Sequence, residues 1–264
     1  MPPTIAFANQ KGGVAKTTSS SNLAFAFAEM GLRVLAVDLD PQGSLTISMG
    51  HSPEELEQRQ ATLYYSLVGD RPMHEIIITG DPGLVPSGIL LAGAEQELGA
   101  DITRSGQTVL RERLAEIQAE YDIVLIDSPP SLGMLTINGL VAASHVIIPT
   151  QTEHLASVGI RALLSTLARL KRGLNPELRL LGVLPTMHNA RQVHDSLVLE
   201  GIQDAMGGHG VPVFEPIGRY TSLARASLEG KPSLVLEPGS PGSRAYRNLA
   251  RKIAHELKLA RSAA

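Results

Sequence analysis

The sequence predicts an α/β protein built on a mostly parallel, twisted sheet with helices on both faces. Three observations predict it. Short, nearly continuous apolar runs alternate with helical stretches along the whole chain. Such runs suit strands that are covered on both sides. Two of them end in an acidic residue, at Asp38 and Asp127, and the first opens into a polar, Gly-containing turn before a helix.

In chain order, residues 5–8 form the first apolar run, and a helix over about 17–30 follows, ended by Gly31. Residues 33–38 and 122–127 are β-rich runs of the same pattern, each closing on an aspartate. Further strands are expected at 145–149, 180–184 and 211–214. Between them lie helical stretches at about 107–120, 133–143, 155–172, 191–206 and 244–261. Segment 50–105 is less regular, with scattered Gly and Pro, and reads as short helices and connections on the same domain. No repeat, low-complexity tract or linker interrupts the chain, so a single domain over residues 1–264 is expected.

Composition excludes several functions. Aromatic residues make up 3% of the chain and Trp is absent, too few rings for a base- or sugar-stacking surface. With no cysteine, disulfides, iron–sulfur clusters and thiolate zinc sites are ruled out together, which fits a reducing cytoplasm. No apolar run reaches the roughly 18 residues of a membrane span, and the N-terminus lacks the basic region of a secretory signal. The net charge of −3 confines any nucleic-acid surface to a local patch.

The most informative stretch is Asn9-Gln10-Lys11-Gly12-Gly13-Val14-Ala15-Lys16-Thr17-Thr18. It leaves a strand and enters a helix, the setting a phosphate-binding loop requires. Glycines admit phosphate close to the backbone, and successive N–H groups with the helix N-terminus point at the anion. Lys16 would reach the β- and γ-phosphates, Thr17 would ligate Mg²⁺, and Thr18 would donate to the α-phosphate. The usual G-x-x-x-x-G-K-[ST] pattern is not met: Gln10 and Ala15 stand where its glycines belong.

An early lysine, here Lys11, resembles the deviant Walker A motif of the ParA/MinD family, K-G-G-x-G-K-T-T. The loop matches that form except at Ala15. The resemblance implies a P-loop NTPase fold that binds ATP/ADP with Mg²⁺, and a sandwich dimer in which Lys11 crosses to the partner's nucleotide. If position 15 needs a positive φ, Ala15 is strained there by about 1 kcal/mol. The expectation is that binding survives and hydrolysis is slow.

Asp38-Leu39-Asp40-Pro41-Gln42-Gly43-Ser44 resembles the family's switch I motif, with Ser44 in place of Asn, and Asp127-Ser128-Pro129-Pro130 resembles its Walker B and switch II segment. Ligands of parallel sheets bind at strand C-termini, so both acidic clusters should face the loop. Mg²⁺ takes oxygen ligands and keeps several waters, which suits Asp127. By resemblance Asp40 orients the attacking water, and Asp38 supports Mg²⁺ hydration or the switch geometry. Met187, Pro216 and Ile217 are placed beside adenine on the same basis. No guanine-reading N-K-x-D occurs.

The resemblance runs over nearly the whole chain and is strongest to the ParA/Soj partition ATPases. A nitrogenase-like iron protein needs cluster cysteines. A MinD-like tail needs bulky apolar residues, whereas residues 253–264 hold neither Phe nor Trp, so no membrane partner is expected. Because the chain begins at the first strand, sequence-specific repression is not expected. The family implies non-specific DNA binding, a ParB-like centromere-binding partner, and a cytoplasmic, nucleoid-associated protein. Candidate DNA contacts are Arg191, Arg219, Arg225, Lys231, Arg244, Arg247, Arg251 and Lys252, the three arginines at 244, 247 and 251 repeating at helical spacing on one face. Two alternatives stay open: an ATPase positioning protein cargo, and a weakly hydrolysing nucleotide-binding scaffold favoured by Ala15 and Ser44.

Overall fold

Every position of four short strands is buried, and the register between those strands decides where the chemistry sits. The structure, a computed structural model, describes residues 2–100, 105–153 and 156–259. The strands are β1 (Thr4–Phe7), β2 (Val34–Asp38), β3 (Gly83–Val85), β4 (Ile123–Asp127), β5 (His145–Gln151) and β6 (Arg179–Thr186). They form one six-stranded sheet in the order β3-β2-β4-β1-β5-β6, with every pairing parallel.

The helices are α1 (Lys16–Glu29), α2 (Ser44–Ser48), α3 (Pro53–Gln58), α4 (Leu63–Leu67), α5 (Met73–Ile76), α6 (Leu91–Ala100) and α7 (Val109–Ala115). They continue with α8 (Met134–Ala142), α9 (Ala156–Arg172), α10 (Val193–Gly207), α11 (Thr221–Leu228), α12 (Ser233–Leu236) and α13 (Pro241–Glu256). Strand side chains alternate between two cores, as the period of two demands. Ala6, Leu35, Val37, Val124, Ile126 and Ile148 pack on one side with Leu63, Leu110, Leu140 and Ile202. Ile5, Phe7, Ala36, Ile123, Leu125 and Ile147 pack on the other with Leu23 and Phe27 of α1 and Tyr246, Leu249 and Ile253 of α13.

Helix α13 starts on Ser240, whose hydroxyl accepts from the Ser243 N–H at 3.2 Å, with Pro241 at the first helical position. Its apolar stripe is spent on α1 and so is not presented outward. Among the described residues no helix is long and apolar enough to cross a membrane.

Three expectations need correction. Residues 211–214 do not form a strand: a single parallel bridge joins Val213 to Val183. Pro212 has no N–H to give a ladder, so the segment stays an extended edge. The strand β3 was hidden because its three residues lie between Pro82 and Pro86 in a Gly- and Pro-rich segment. The helix expected over 107–120 is α7 followed by a separate 3-10 turn at Gln118–Glu120. Of the helices expected to 155–172 and 244–261, residues 155 and 260–261 lie outside the described residues.

Candidate nucleotide site

The loop between β1 and α1 is held from behind by residues far away in sequence. Asn9 accepts from the Lys11 N–H at 3.0 Å and donates to the Pro149 carbonyl at 2.7 Å. Gln151, at the end of β5, donates to the Gly13 carbonyl at 2.8 Å. Thr186, at the end of β6, donates to the Val14 carbonyl at 3.1 Å. With its carbonyls drawn back into the sheet, the loop presents Gly12, Gly13, Ala15, Lys16, Thr17 and Thr18 to a cleft of about 450 Å³. Val14 is buried and does not line it.

Gly13 has φ +73° and Ala15 has φ 63°, ψ 35°, the left-handed region. The strain expected at Ala15 is therefore present, at the N-cap of α1. Ala15→Gly is expected to stabilise the chain by up to about 1 kcal/mol. That corresponds to a melting-temperature rise of roughly 2–4 °C. A thermal melt checks it, and an unchanged or lower midpoint would count against the strain.

The acidic residues meet the loop because of register. Asp38 and Asp127 are direct partners across β2 and β4, and Asp127 is also opposite Phe7, next to the loop. Both carboxyls are fully buried. Burial pushes Asp38 up to about 7, offset by its hydrogen bonds from Thr46 and Asp40. Burial and the neighbouring Asp38 push Asp127 up to about 8.

Asp127 has one oxygen that accepts from the Thr17 hydroxyl at 2.6 Å, while its Oδ1 is buried without a protein partner. An orphaned carboxylate oxygen beside a hydroxyl is the donor set that suits Mg²⁺. Of the two roles expected for Asp38, Mg²⁺ hydration or the switch geometry, its contacts match the second. Its Oδ2 accepts from the Thr46 N–H and hydroxyl, both at 2.8 Å, and its Oδ1 accepts from the Asp40 N–H at 3.2 Å. It organises the 40–46 turn rather than facing the cleft. Asp40 does line the cleft, with Oδ1 accepting from the Gln42 N–H at 3.0 Å.

Lys16 opens α1 and is 7% exposed. Burial lowers its pKa, and Asp127 and Asp40 oppose that shift. Lys11 lies elsewhere: its Nζ is ion-paired with Glu153, both side chains about half exposed.

A second cavity of about 490 Å³ adjoins the cleft through Ala15, Thr18 and Met187. Its lining is apolar, with Ile217, Leu223, Tyr220 and Tyr246. Met187 stands where the two meet, and Ile217 lines the apolar side. Pro216 does not: it lines a separate groove with Arg244, Arg251 and Lys252. Gln151 and Thr186 were missed in the sequence; the available signal was a polar residue at the C-terminal end of an apolar strand.

The DNA candidates are dispersed. Arg191 and Arg219 are exposed on loops that pair through the His188–Gly218 bridge, with the Arg219 N–H donating to the His188 carbonyl at 2.9 Å. Lys231 lines the nucleotide cleft. Arg225 is ion-paired with Glu229 and Glu237. The expected row on α13 is split: Arg247 forks onto Glu29 of α1 at 2.6 and 2.7 Å, while Arg244 and Arg251 line the groove beside Pro216.

Known proteins resemble this chain over most of its length. A family model described as an AAA domain matches residues 3–180. The chain is 42% identical over 252 residues to the chromosome-partitioning ATPase Soj of Thermus thermophilus, covering 94% of each. It is 39% identical over 254 residues to the sporulation initiation inhibitor protein Soj of Bacillus subtilis, covering 95% of this chain and 97% of that one. A crystal structure described as cobyrinic acid a,c-diamide synthase from Mycobacterium smegmatis, with bound ADP and magnesium, matches at TM-score 0.84 and 39% identity, covering 98% of this chain and 96% of that one. The phosphate loop, the paired strand-end aspartates and these relatives agree: the chain belongs to the ParA/Soj family of chromosome-partitioning ATPases.

Proposed function

We propose that the chain is an ATP-driven partition switch: with ATP and Mg²⁺ it forms a sandwich dimer bridged through Lys11, and the dimer binds DNA without sequence preference. A ParB-like partner then stimulates hydrolysis and resets the cycle on the nucleoid. The observation that carries this reading is the meeting of Lys16, Thr17 and Asp40 at one cleft, with the buried Asp127 hydrogen-bonded behind Thr17 and Lys11 held outside the cleft.

The reaction is attack of water on the γ-phosphorus, breaking the β–γ bond and releasing ADP and phosphate. Thr17 and Asp127 would hold Mg²⁺, which offsets charge on the phosphate oxygens. Lys16 and the N-terminus of α1 stabilise the charge that develops on the leaving side. Asp40, on the turn that Asp38 and Thr46 brace, accepts a hydrogen bond from the attacking water. The apolar cavity beyond Met187 holds the base.

Arg191 and Arg219, on paired exposed loops, are the foremost cations for DNA phosphates. Each phosphate they neutralise adds about −0.9 to the slope of log affinity against log salt. Two cations on an acidic monomer bind weakly, and a dimer offers two such patches to one duplex.

The test is DNA binding across a salt series with ATP, ADP or no nucleotide. Tight, salt-sensitive binding only with ATP, lost in Lys11→Ala and reduced in Arg219→Ala, is the expected result. Equal affinity with ATP and ADP would overturn the switch, and absence of DNA binding would favour an ATPase that positions protein cargo.

A further inference from the structure

We propose that Glu153 is a positioning residue that holds Lys11 on its own subunit, so that each subunit must release this pair before an ATP-bridged dimer closes. The inference rests on the dimer reading above and adds a regulatory contact to it.

The backbone at Lys11 is pinned. Its N–H donates to Asn9 at 3.0 Å, and its carbonyl accepts from Lys16 Nζ at 3.4 Å. Only the side chain is left to swing. Gly12 and Gly13 line the cleft of their own subunit, and Lys11 does not. Its ammonium is turned to the end of β5, where it is ion-paired with Glu153 and lies 3.5 Å from Gln151 Oε1.

That anchor is firm on its inner side. Gln151 is tied to Gly13 at 2.8 Å and to the Met187 sulfur at 3.0 Å. The Thr152 hydroxyl donates at 3.1 Å to the buried Asp195, which also accepts the Asn189 N–H at 2.8 Å. Three consecutive side chains thus hold the phosphate loop, the loop that carries Arg191, and Lys11. The Lys11 and Glu153 side chains are 53% and 54% exposed, so the pair can open without unfolding anything.

Exposure also limits what the pair is worth. An exposed ion pair shifts an equilibrium by up to about fivefold. A symmetric dimer breaks two, and the effects multiply to roughly 2- to 30-fold in the dimer dissociation constant. The contact therefore sets a threshold and does not block the dimer. A carboxylate competes with the partner's phosphates for one ammonium, and the extra charge of a triphosphate overcomes it more readily than a diphosphate does. The pair sharpens the difference between ATP and ADP.

The experiment uses the full chain with Asp40→Ala as the parent, so that ATP persists, and reads dimerisation by sedimentation with Mg-ATP at fixed salt. Glu153→Gln is expected to tighten the dimer roughly 2- to 30-fold, and Glu153→Asp, which keeps the charge, to stay near the parent. In the nucleotide-free monomer, trace acetic anhydride should label Lys11 faster in Glu153→Gln than in the parent.

A parent that dimerises but is unchanged or weakened by Glu153→Gln overturns the restraint and leaves the dimer reading standing. So does equal tightening by Glu153→Asp, or unchanged Lys11 labelling. A parent that stays monomeric with ATP overturns both.

Discussion

Lys16→Ala is expected to lose both nucleotide affinity and turnover, with the fold intact. Lys16 is the first residue of α1, nearly buried, and faces a cleft whose other charges at that point are the Asp127 and Asp40 carboxyls. Burial pulls its pKa down, and those two acids oppose the shift. A charge-assisted hydrogen bond in such a place contributes about 1.5–3 kcal/mol, so Mg-ADP affinity should fall roughly 10- to 100-fold. Removing a preorganised donor from developing charge lowers turnover by about 10²–10³. Calorimetric titration and single-turnover hydrolysis read the two separately, with circular dichroism as the check on folding. Unchanged ADP affinity would show that this loop does not cradle phosphates.

Asp40→Ala is expected to leave binding in place and remove hydrolysis. Asp40 sits on a turn whose shape is set elsewhere, by Asp38 holding Thr46 and the Asp40 N–H. Truncating its side chain leaves that brace in place. Substrate affinity should stay within about threefold, while loss of the group that orients water lowers hydrolysis by about 10²–10³. The ATP-bound state should then accumulate. Single-turnover measurement on enzyme loaded with ATP decides it: a rate within tenfold of the unsubstituted chain would move the water-positioning role away from Asp40.

The contrast between these two residues was legible in the sequence, and their surroundings were not. Lys16 and Asp40 belong to short motifs whose spacing states the chemistry. The brace that makes Asp40 useful depends on Thr46 and on Asp38 being turned inward, the second of the two roles expected for Asp38. The strain at Ala15 was legible in the loop's own residues, because positive φ is a local property.

Its supports, Gln151 on Gly13 and Thr186 on Val14, are separated from it by 138 and 172 residues. No local pattern reports contacts at that range. The basic candidates show the same limit. Helical spacing put Arg244, Arg247 and Arg251 on one face, yet Glu29, 218 residues from Arg247, takes that guanidinium out of the row. Lys231, expected among the DNA contacts, is set by the fold in the lining of the nucleotide cleft.

The sequence by itself determined the α/β class, most strands and helices, the phosphate-loop chemistry and the family. Each of these is written in residues adjacent in the chain or repeating at a fixed period. Tertiary structure alone decided which strands are neighbours, and so that Asp38 and Asp127 are partners and that Lys11 rests on Glu153. It also decided which arginines remain free. The physical reason is that strand order and ion pairing are set by packing two cores against one sheet, and that free energy is shared among residues far apart in the chain.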